Sequence, residues 1–247
     1  MELRKQTAIV TGASSGLGAQ FSRDLVAEGM TVYGLARRKD RLQALQTELN
    51  GLDGDGRFIG VELDVTDEPA LAKWVGGMFE GSGAAGAPAV IVNNAGFGAF
   101  GAVDAFPVET WDRMVATNLS AVFYLTRLVV PHMKSRDGMS HIVNISSVAG
   151  LMGNANLSAY NATKFALRGF SEALFKELRE SGIRVTCLFP GSIATEFFEP
   201  LGMPVHENMM RAEDVSASVL HVLKAPDRML INELTMRPSN PKPPSQG

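Results

Sequence analysis

Tyr160 and Lys164 lie four residues apart in the stretch "YNATK", in a chain with only three tyrosines. Four residues is just over one helical turn, so on a helix the two side chains share a face. An ammonium near a phenol stabilises the phenolate and lowers its pKa from about 10 toward neutrality. Two unit charges about 4 Å apart at an effective dielectric near 20 interact by roughly 4 kcal/mol, which is about three pKa units. A tyrosine lying along a lysine stem on a surface would give the same spacing, so the rest of the chain has to decide. Asn118 is a second signal: it interrupts the otherwise apolar helical stretch "MVATNLSAVFYL". It reads either as an ordinary buried amide or as part of a site.

A glycine turn supplies a third signal. "TGASSGLG" at 11–18 follows the short apolar run "TAIV" at 7–10. Gly12 permits a tight turn, and Gly16 and Gly18 allow close approach of backbone or cofactor. The helix N-terminus that follows offers unpaired N–H groups and partial positive charge to a pyrophosphate. Three glycines could serve a plain turn, but their place after the first strand of a βαβ unit points to dinucleotide binding. The second strand ends at Ala36, where an NAD site typically carries a carboxylate for the ribose 2′-OH. Arg37 and Arg38 follow it instead. A guanidinium fork suits a 2′-phosphate, whereas a solvated basic helix start would put cations at the mildly unfavourable end of the dipole. Arg37 is the first choice for the phosphate contact, with Ser14 assisting, and NADP(H) is expected over NAD(H).

These residues need a scaffold. Apolar β-branched runs at 7–10, 31–35, 58–63, 89–92, 141–145, 184–189 and 228–231 alternate with helical spacings such as Leu42, Leu45, Leu49 and Val115, Leu119, Val122. Strands alternating with helices predict an α/β fold with a parallel sheet covered on both faces. One domain is expected over 1–237, then a Pro-rich tail at 238–247; "EGSGAAGAP" at 80–88 reads as a loop. The chain of 247 residues carries a net charge of −3, which argues against nucleic acid as the main partner. Cys187 is a lone cysteine in "VTCLF", read as buried packing in a reducing, cytoplasmic setting. No apolar stretch is expected to reach the roughly 20 residues of a membrane span. The four scattered histidines predict no metal site.

With "TGASSGLG", "NNAG" at 93–96, Asn118, Ser147 and "YNATK" in this order, the chain resembles the classical short-chain dehydrogenase/reductases from about residue 5 to 237. The resemblance implies a Rossmann-type, doubly wound, seven-stranded parallel sheet and hydride exchange between a nicotinamide cofactor and a carbonyl. Members with the "ARR" pattern seen at 36–38 generally use NADP(H). By the same resemblance Tyr160 is the general acid, and Lys164 both acidifies it and binds the nicotinamide ribose. Ser147, thirteen residues before the tyrosine, would donate to the substrate oxygen and hold it beside the phenol. Neighbouring Ser146, on the opposite face of the strand, is given a structural role. Asn118 would hold a water on the lysine's path to solvent.

Gly12, Ser14, Ser15, Gly16, Leu17 and Gly18 would cradle the pyrophosphate, and Asp64 with Val65 the adenine, an Asx-turn or helix cap being the alternative for Asp64. Asn93, Ala95 and Gly96 would line the adenosine ribose, with "NNAG" bracing the centre of the sheet. Pro190, Gly191, Ile193 and Thr195 would flank the nicotinamide, Thr195 doubling as a helix N-cap. Substrate contacts are expected from Ser147, Val148, Met152, Asn154, Tyr160 and Phe197, with Leu151, Asn156, Phe97 and Phe198 nearby. The short loop after Thr195 suggests a small secondary alcohol or its carbonyl, and the chain most resembles members acting on 3-hydroxy acids or β-hydroxy amino acids. A 3-oxoacyl reductase and a catalytically silent NADP-binding sensor are the alternatives. A homotetramer or homodimer is expected, pairing the helices that begin near Trp111 and Ser158.

Overall fold

The structure is a computed structural model and describes residues 1–79, 86–197, 202 and 204–240. Seven strands form a single sheet: β1 Thr7–Thr11, β2 Thr31–Ala36, β3 Arg57–Glu62, β4 Val90–Asn93, β5 Ser140–Ile145, β6 Ile183–Pro190 and β7 Glu233–Met236. Their order is β3-β2-β1-β4-β5-β6-β7, and every pairing is parallel. The helices are α1 Gly16–Ala27, α2 Lys39–Asn50, α3 Glu68–Phe79, α4 Val108–Val115, α5 Ala121–Lys134, α6 Ser158–Leu178 and α7 Ala212–Leu223. This is the doubly wound fold expected from the alternation of strands and helices.

Central strands covered on both faces have no solvent side, so β4, β5 and β6 are buried at every position. One core packs α1, α2 and α7 against the sheet through Phe21, Leu25, Leu42, Leu45, Leu49, Val215 and Val219. The other packs α3, α5 and α6 through Leu71, Val75, Leu125, Val129, Leu174 and Leu178. Two asparagines within these strands pair across the sheet. Asn93 on β4 donates to Asn144 on β5 at 2.8 Å, and Asn144 donates to Ser171 of α6 at 2.8 Å. These amides tie two strands and a helix together at the middle of the sheet, the bracing role expected of "NNAG".

Three details depart from the sequence reading. The run at 228–231 is not a strand; Met229 N–H closes a turn onto Pro226, and pairing with β6 starts only at Glu233, opposite Cys187. Between α4 and α5 the backbone adopts a π-turn at Ala116–Ser120. Its extra residue rotates the inward face, so Met114, Asn118, Ala121 and Val122 are buried while Val115 and Leu119 are only half-buried. Helix therefore runs without a break over Val108–Lys134, 27 residues of mean hydropathy 1.3 at best, long and apolar enough to cross a membrane. That corrects the expectation that no stretch is long enough. Its inner side packs on the sheet through Leu125, Val129 and Met133, all essentially inaccessible. Residues 80–85 of the expected loop and 241–247 of the tail lie outside the described residues. Pro238, where the tail starts, packs over Gly191: a Cβ on that glycine would lie 3.2 Å from the proline ring.

Candidate active site

The strand order reverses between β1 and β4, and ligands of open α/β sheets bind at such a reversal, beyond the carboxyl ends of the strands. β1 runs directly into the glycine turn. Gly12 and Gly16 have φ of +69° and +51°, a left-handed conformation that a side chain resists. Gly18 is required for a different reason, because a Cβ there would sit 2.2 Å from the Gly12 carbonyl oxygen. Thr11 fastens this turn to the end of β4: its hydroxyl accepts from the N–H groups of Asn94 and Ala95, both at 2.9 Å. Asn94 returns a bond from its amide to the Thr11 carbonyl at 2.9 Å. Thr11 and Asn94 were not singled out from the sequence, although a hydroxyl and an amide at adjacent central strand ends were a readable signal.

Arg38, not Arg37, reaches the glycine turn. Its Nε donates to Ser14 Oγ at 3.1 Å and its Nη2 to Ser15 Oγ at 2.5 Å. Arg37 is 74% exposed and leans toward Asp64 at 3.8 Å. Arg37 is the first choice for the phosphate contact from the sequence; here the residue after Ala36 points outward, and the next one folds back over the turn. Asp64 forms the Asx-turn that was its alternative reading, Oδ1 accepting from the Thr66 N–H at 2.9 Å and hydroxyl at 2.7 Å. Burial pushes its carboxyl up, but the two Thr66 bonds and Arg37 outweigh that and hold it below the usual range. Val65 beside it is buried. Asn93 is buried, and its amide donates to Asn144. Ala95 and Gly96, at the same strand end, are half-buried or open.

At the end of β5, Ser146 turns inward and donates to the Lys164 carbonyl at 3.1 Å, the structural role expected of it. Ser147 caps the short turn Val148–Gly150 by accepting from Ala149 N–H at 3.1 Å. It also lies close enough to the Tyr160 phenol to lower that group's pKa. Helix α6 begins at Ser158 and carries Tyr160 and Lys164 on one inward face, both buried. Lys164 Nζ donates to the Ile145 carbonyl at 3.0 Å and stands 5.7 Å from the centroid of the tyrosine ring. Burial pushes the phenol up to about 12, opposed by nearby Ser147, and pushes Lys164 down to about 8. The expected acidification of Tyr160 by Lys164 is therefore not found in the chain itself. The ammonium sits over the ring and on a carbonyl, and loss of solvent dominates both groups.

Asn118, buried in the π-turn, donates to the Phe97 carbonyl at 2.9 Å and to Thr163 Oγ1 at 3.2 Å, and accepts from Phe97 N–H at 3.0 Å. Its amide protons are spent on holding the chain after β4 against α6. A Cβ on Gly96 would meet Asn118 Oδ1 at 3.0 Å and Lys164 Nζ at 3.7 Å, so the absent side chain there leaves room for both. Asn161, also missed, donates to the carbonyls of Ala149 at 2.6 Å and Met152 at 2.8 Å and accepts from Asn154 N–H at 3.2 Å. It shapes the loop on which Val148, Met152 and Asn154 stand. Phe100 and Phe197 place ring centroids 6.2 and 6.0 Å from that of Tyr160, and Met152 is exposed beside Arg237 at 3.6 Å. Phe198 lies outside the described residues.

Beyond β6, Pro190 and Gly191 lead to Ile193, which is buried and bridged to Met210. Thr195 crosses the crevice, its Cβ 3.6 Å from where a Cβ on Gly16 would lie. The donor chemistry of this set suits a dinucleotide: a helix N-terminus whose Ser15 forms no side-chain cap, with a guanidinium bonded to two serines beside it.

A family model described as short chain dehydrogenase matches residues 6–204. A serine 3-dehydrogenase of Rhizobium radiobacter is 34% identical over 245 residues, covering 95% of this chain and 94% of its own length. A farnesol dehydrogenase of Aedes aegypti is also 34% identical, over 247 residues, covering 96% of this chain and 97% of itself. Among solved structures, a metagenomic short-chain oxidoreductase in complex with NADP superposes with a TM-score of 0.80 at 32% identity, covering 97% of this chain and all of its own. The closed form of a serine dehydrogenase complexed with NADP+ gives 0.81 at 30%, with 94% and 95% covered.

Proposed function

Because the chain belongs to the short chain dehydrogenase family, we propose that it is an NADP(H)-dependent oxidoreductase interconverting a small secondary alcohol and its carbonyl, with Tyr160 as general acid and base. The observation that carries this reading is the buried Tyr160 phenol, beside Ser147 and one helical turn from Lys164. When bound, the cofactor would supply the hydride. Gly12, Gly16 and Gly18 would hold its pyrophosphate at the start of α1, and Lys164 its nicotinamide ribose. Ile193 and Thr195 would flank the ring. Ser147 would hold the carbonyl oxygen against the phenol, which gives up its proton as the alkoxide develops. Asn118 keeps the chain after β4 and helix α6 in register, so Gly96 stays open beside Lys164.

Phe100 and Phe197 beside the phenol favour an uncharged, apolar substituent on the carbonyl. A second reading, a 3-hydroxy acid or β-hydroxy amino acid, is favoured by the likeness to serine 3-dehydrogenase. A panel containing aliphatic and aromatic ketones, 3-oxo acids and DL-serine, read by NADPH absorbance, separates them. Turnover of ketones alone supports the first, oxidation of serine the second, and no turnover of any member sinks both.

Arg38 is the phosphate contact in this reading. Charge-assisted bonds contribute about 1.5–3 kcal/mol each, so Arg38→Ala should weaken NADPH binding by one to two orders of magnitude and leave NADH within twofold. Arg37→Ala should change neither much. Calorimetry with both cofactors checks this, and equal loss for NADPH and NADH would contradict the assignment.

A homodimeric or tetrameric assembly in a cytoplasmic setting completes the proposal. Trp111, Phe123 and Phe165, on α4, α5 and α6, are each more than 40% exposed, and Phe123 stacks edge-on with Tyr124 and Phe170. Such an apolar patch suits a second copy of the chain. Phe123→Arg should shift light scattering from dimer or larger to monomer. A wild-type monomer at micromolar concentration would refute the pairing.

A further inference from the structure

One tripeptide, Thr195-Glu196-Phe197, touches three parts of the site. Thr195 packs at Gly16, and Phe197 lies 6.0 Å from the Tyr160 ring. Between them Glu196 accepts from Arg41 Nη1 through both carboxylate oxygens, at 2.9 and 2.7 Å, and pairs with Arg38 Nη1 at 3.5 Å. Arg38 is the same guanidinium that holds Ser14 and Ser15. The carboxylate thus neutralises two cations next to the glycine turn, and it does so from the loop that carries a wall of the substrate pocket.

Building on the NADP(H) reading above, we propose that Glu196 is an internal competitor of the cofactor's 2′-phosphate and a determinant of cofactor selectivity. In the free chain the Arg38–Arg41 pair is occupied by this carboxylate. A 2′-phosphate carries more charge and can take the fork of Arg38 bidentately, so its arrival displaces Glu196 and frees the loop next to the phenol. A cofactor without the phosphate leaves the ion pairs in place. Phosphate recognition is thereby coupled to the position of Phe197. The cost is affinity: the worth of these exposed pairs is withheld from NADPH and not from NADH.

The test uses adenosine 2′,5′-bisphosphate and 5′-AMP, titrated calorimetrically into the full chain, its Glu196→Gln variant and its Arg38→Ala variant. Glu196→Gln should bind the bisphosphate about two- to fivefold more tightly, the fold-change that such ion pairs represent, with 5′-AMP unchanged. In a Phe197→Trp background the bisphosphate, but not 5′-AMP, should change the tryptophan emission, and adding Glu196→Gln should remove that difference. If Arg38→Ala loses the bisphosphate while Glu196→Gln leaves it unaltered, the competitor role is overturned and the NADP(H) reading stands. If Arg38→Ala binds the bisphosphate like wild type, the phosphate site itself is misassigned and the proposal falls with it.

Discussion

Tyr160→Phe is expected to cut turnover of the best carbonyl in the panel by two to four orders of magnitude, the usual worth of a positioned general acid, while cofactor affinity holds within about twofold. The substitution removes one oxygen from a residue that is only 8% exposed, so the ring still fills its place between Phe100 and Phe197. What disappears is the proton donor beside Ser147. The pH dependence follows from the state of the phenol. Burial pushes it up to about 12, so the donor form needed for carbonyl reduction is fully present through neutrality. Alcohol oxidation needs the phenolate, and its rate should climb toward alkaline pH. Initial rates in both directions between pH 6 and 9.5 check this; retention of turnover by Tyr160→Phe would remove the phenol from the mechanism.

Lys164→Met should abolish activity and yet make the protein more stable. Burial lowers Lys164 from 10.5 to about 8; at about 1.4 kcal/mol per pH unit, keeping it charged at pH 7 costs the folded state about 3 kcal/mol. The sign follows from proton binding. Between about pH 8 and 10.5 the unfolded lysine still holds its proton and the folded one has lost it, so this group adds stability as pH rises. Below pH 8 both are charged and the penalty is at its full size. Methionine has a similar volume and no charge, but it leaves the Ile145 carbonyl without its donor, returning about 1 kcal/mol. A net gain of about 2 kcal/mol at pH 7, shrinking toward pH 10, is the expected difference between variant and wild-type urea unfolding curves. A variant less stable than wild type at pH 7 would mean that the ammonium is well solvated where it sits.

Much of the fold was legible because the signals were local. Alternation of apolar runs and helical spacings gave six of the strands to within a residue or two, and the glycine turn declared both the end of β1 and the start of α1. The run "RMLI" is as apolar as a strand, and only its turn onto Pro226 rules it out. The π-turn was illegible, since no local propensity marks one extra residue in a helix.

Side-chain direction was harder still. Arg37 and Arg38 are chemically equivalent in the sequence, and which one folds back depends on how α2 departs from β2. The phenol and the ammonium were identified by spacing, but spacing on a helix says nothing about solvent. Burial, which depends on the whole fold, turned the expected acidification into its opposite. Glu196 escaped notice for a similar reason, because its partners lie 155 residues away at Arg41 and slightly farther at Arg38.

The order of the strands also bears on how the chain is made. β1 leaves the ribosome first, yet one of its two neighbours, β4, is encoded about 80 residues later, and translation at roughly 5–20 residues per second leaves several seconds between them. For that interval a mostly apolar ribbon, "TAIVT", that ends in the glycine turn has an open edge. A nascent chain of this design depends on chaperones or on fast docking of α1 over that edge, and slowing the ribosome between codons 12 and 90 would lengthen its period of greatest aggregation risk.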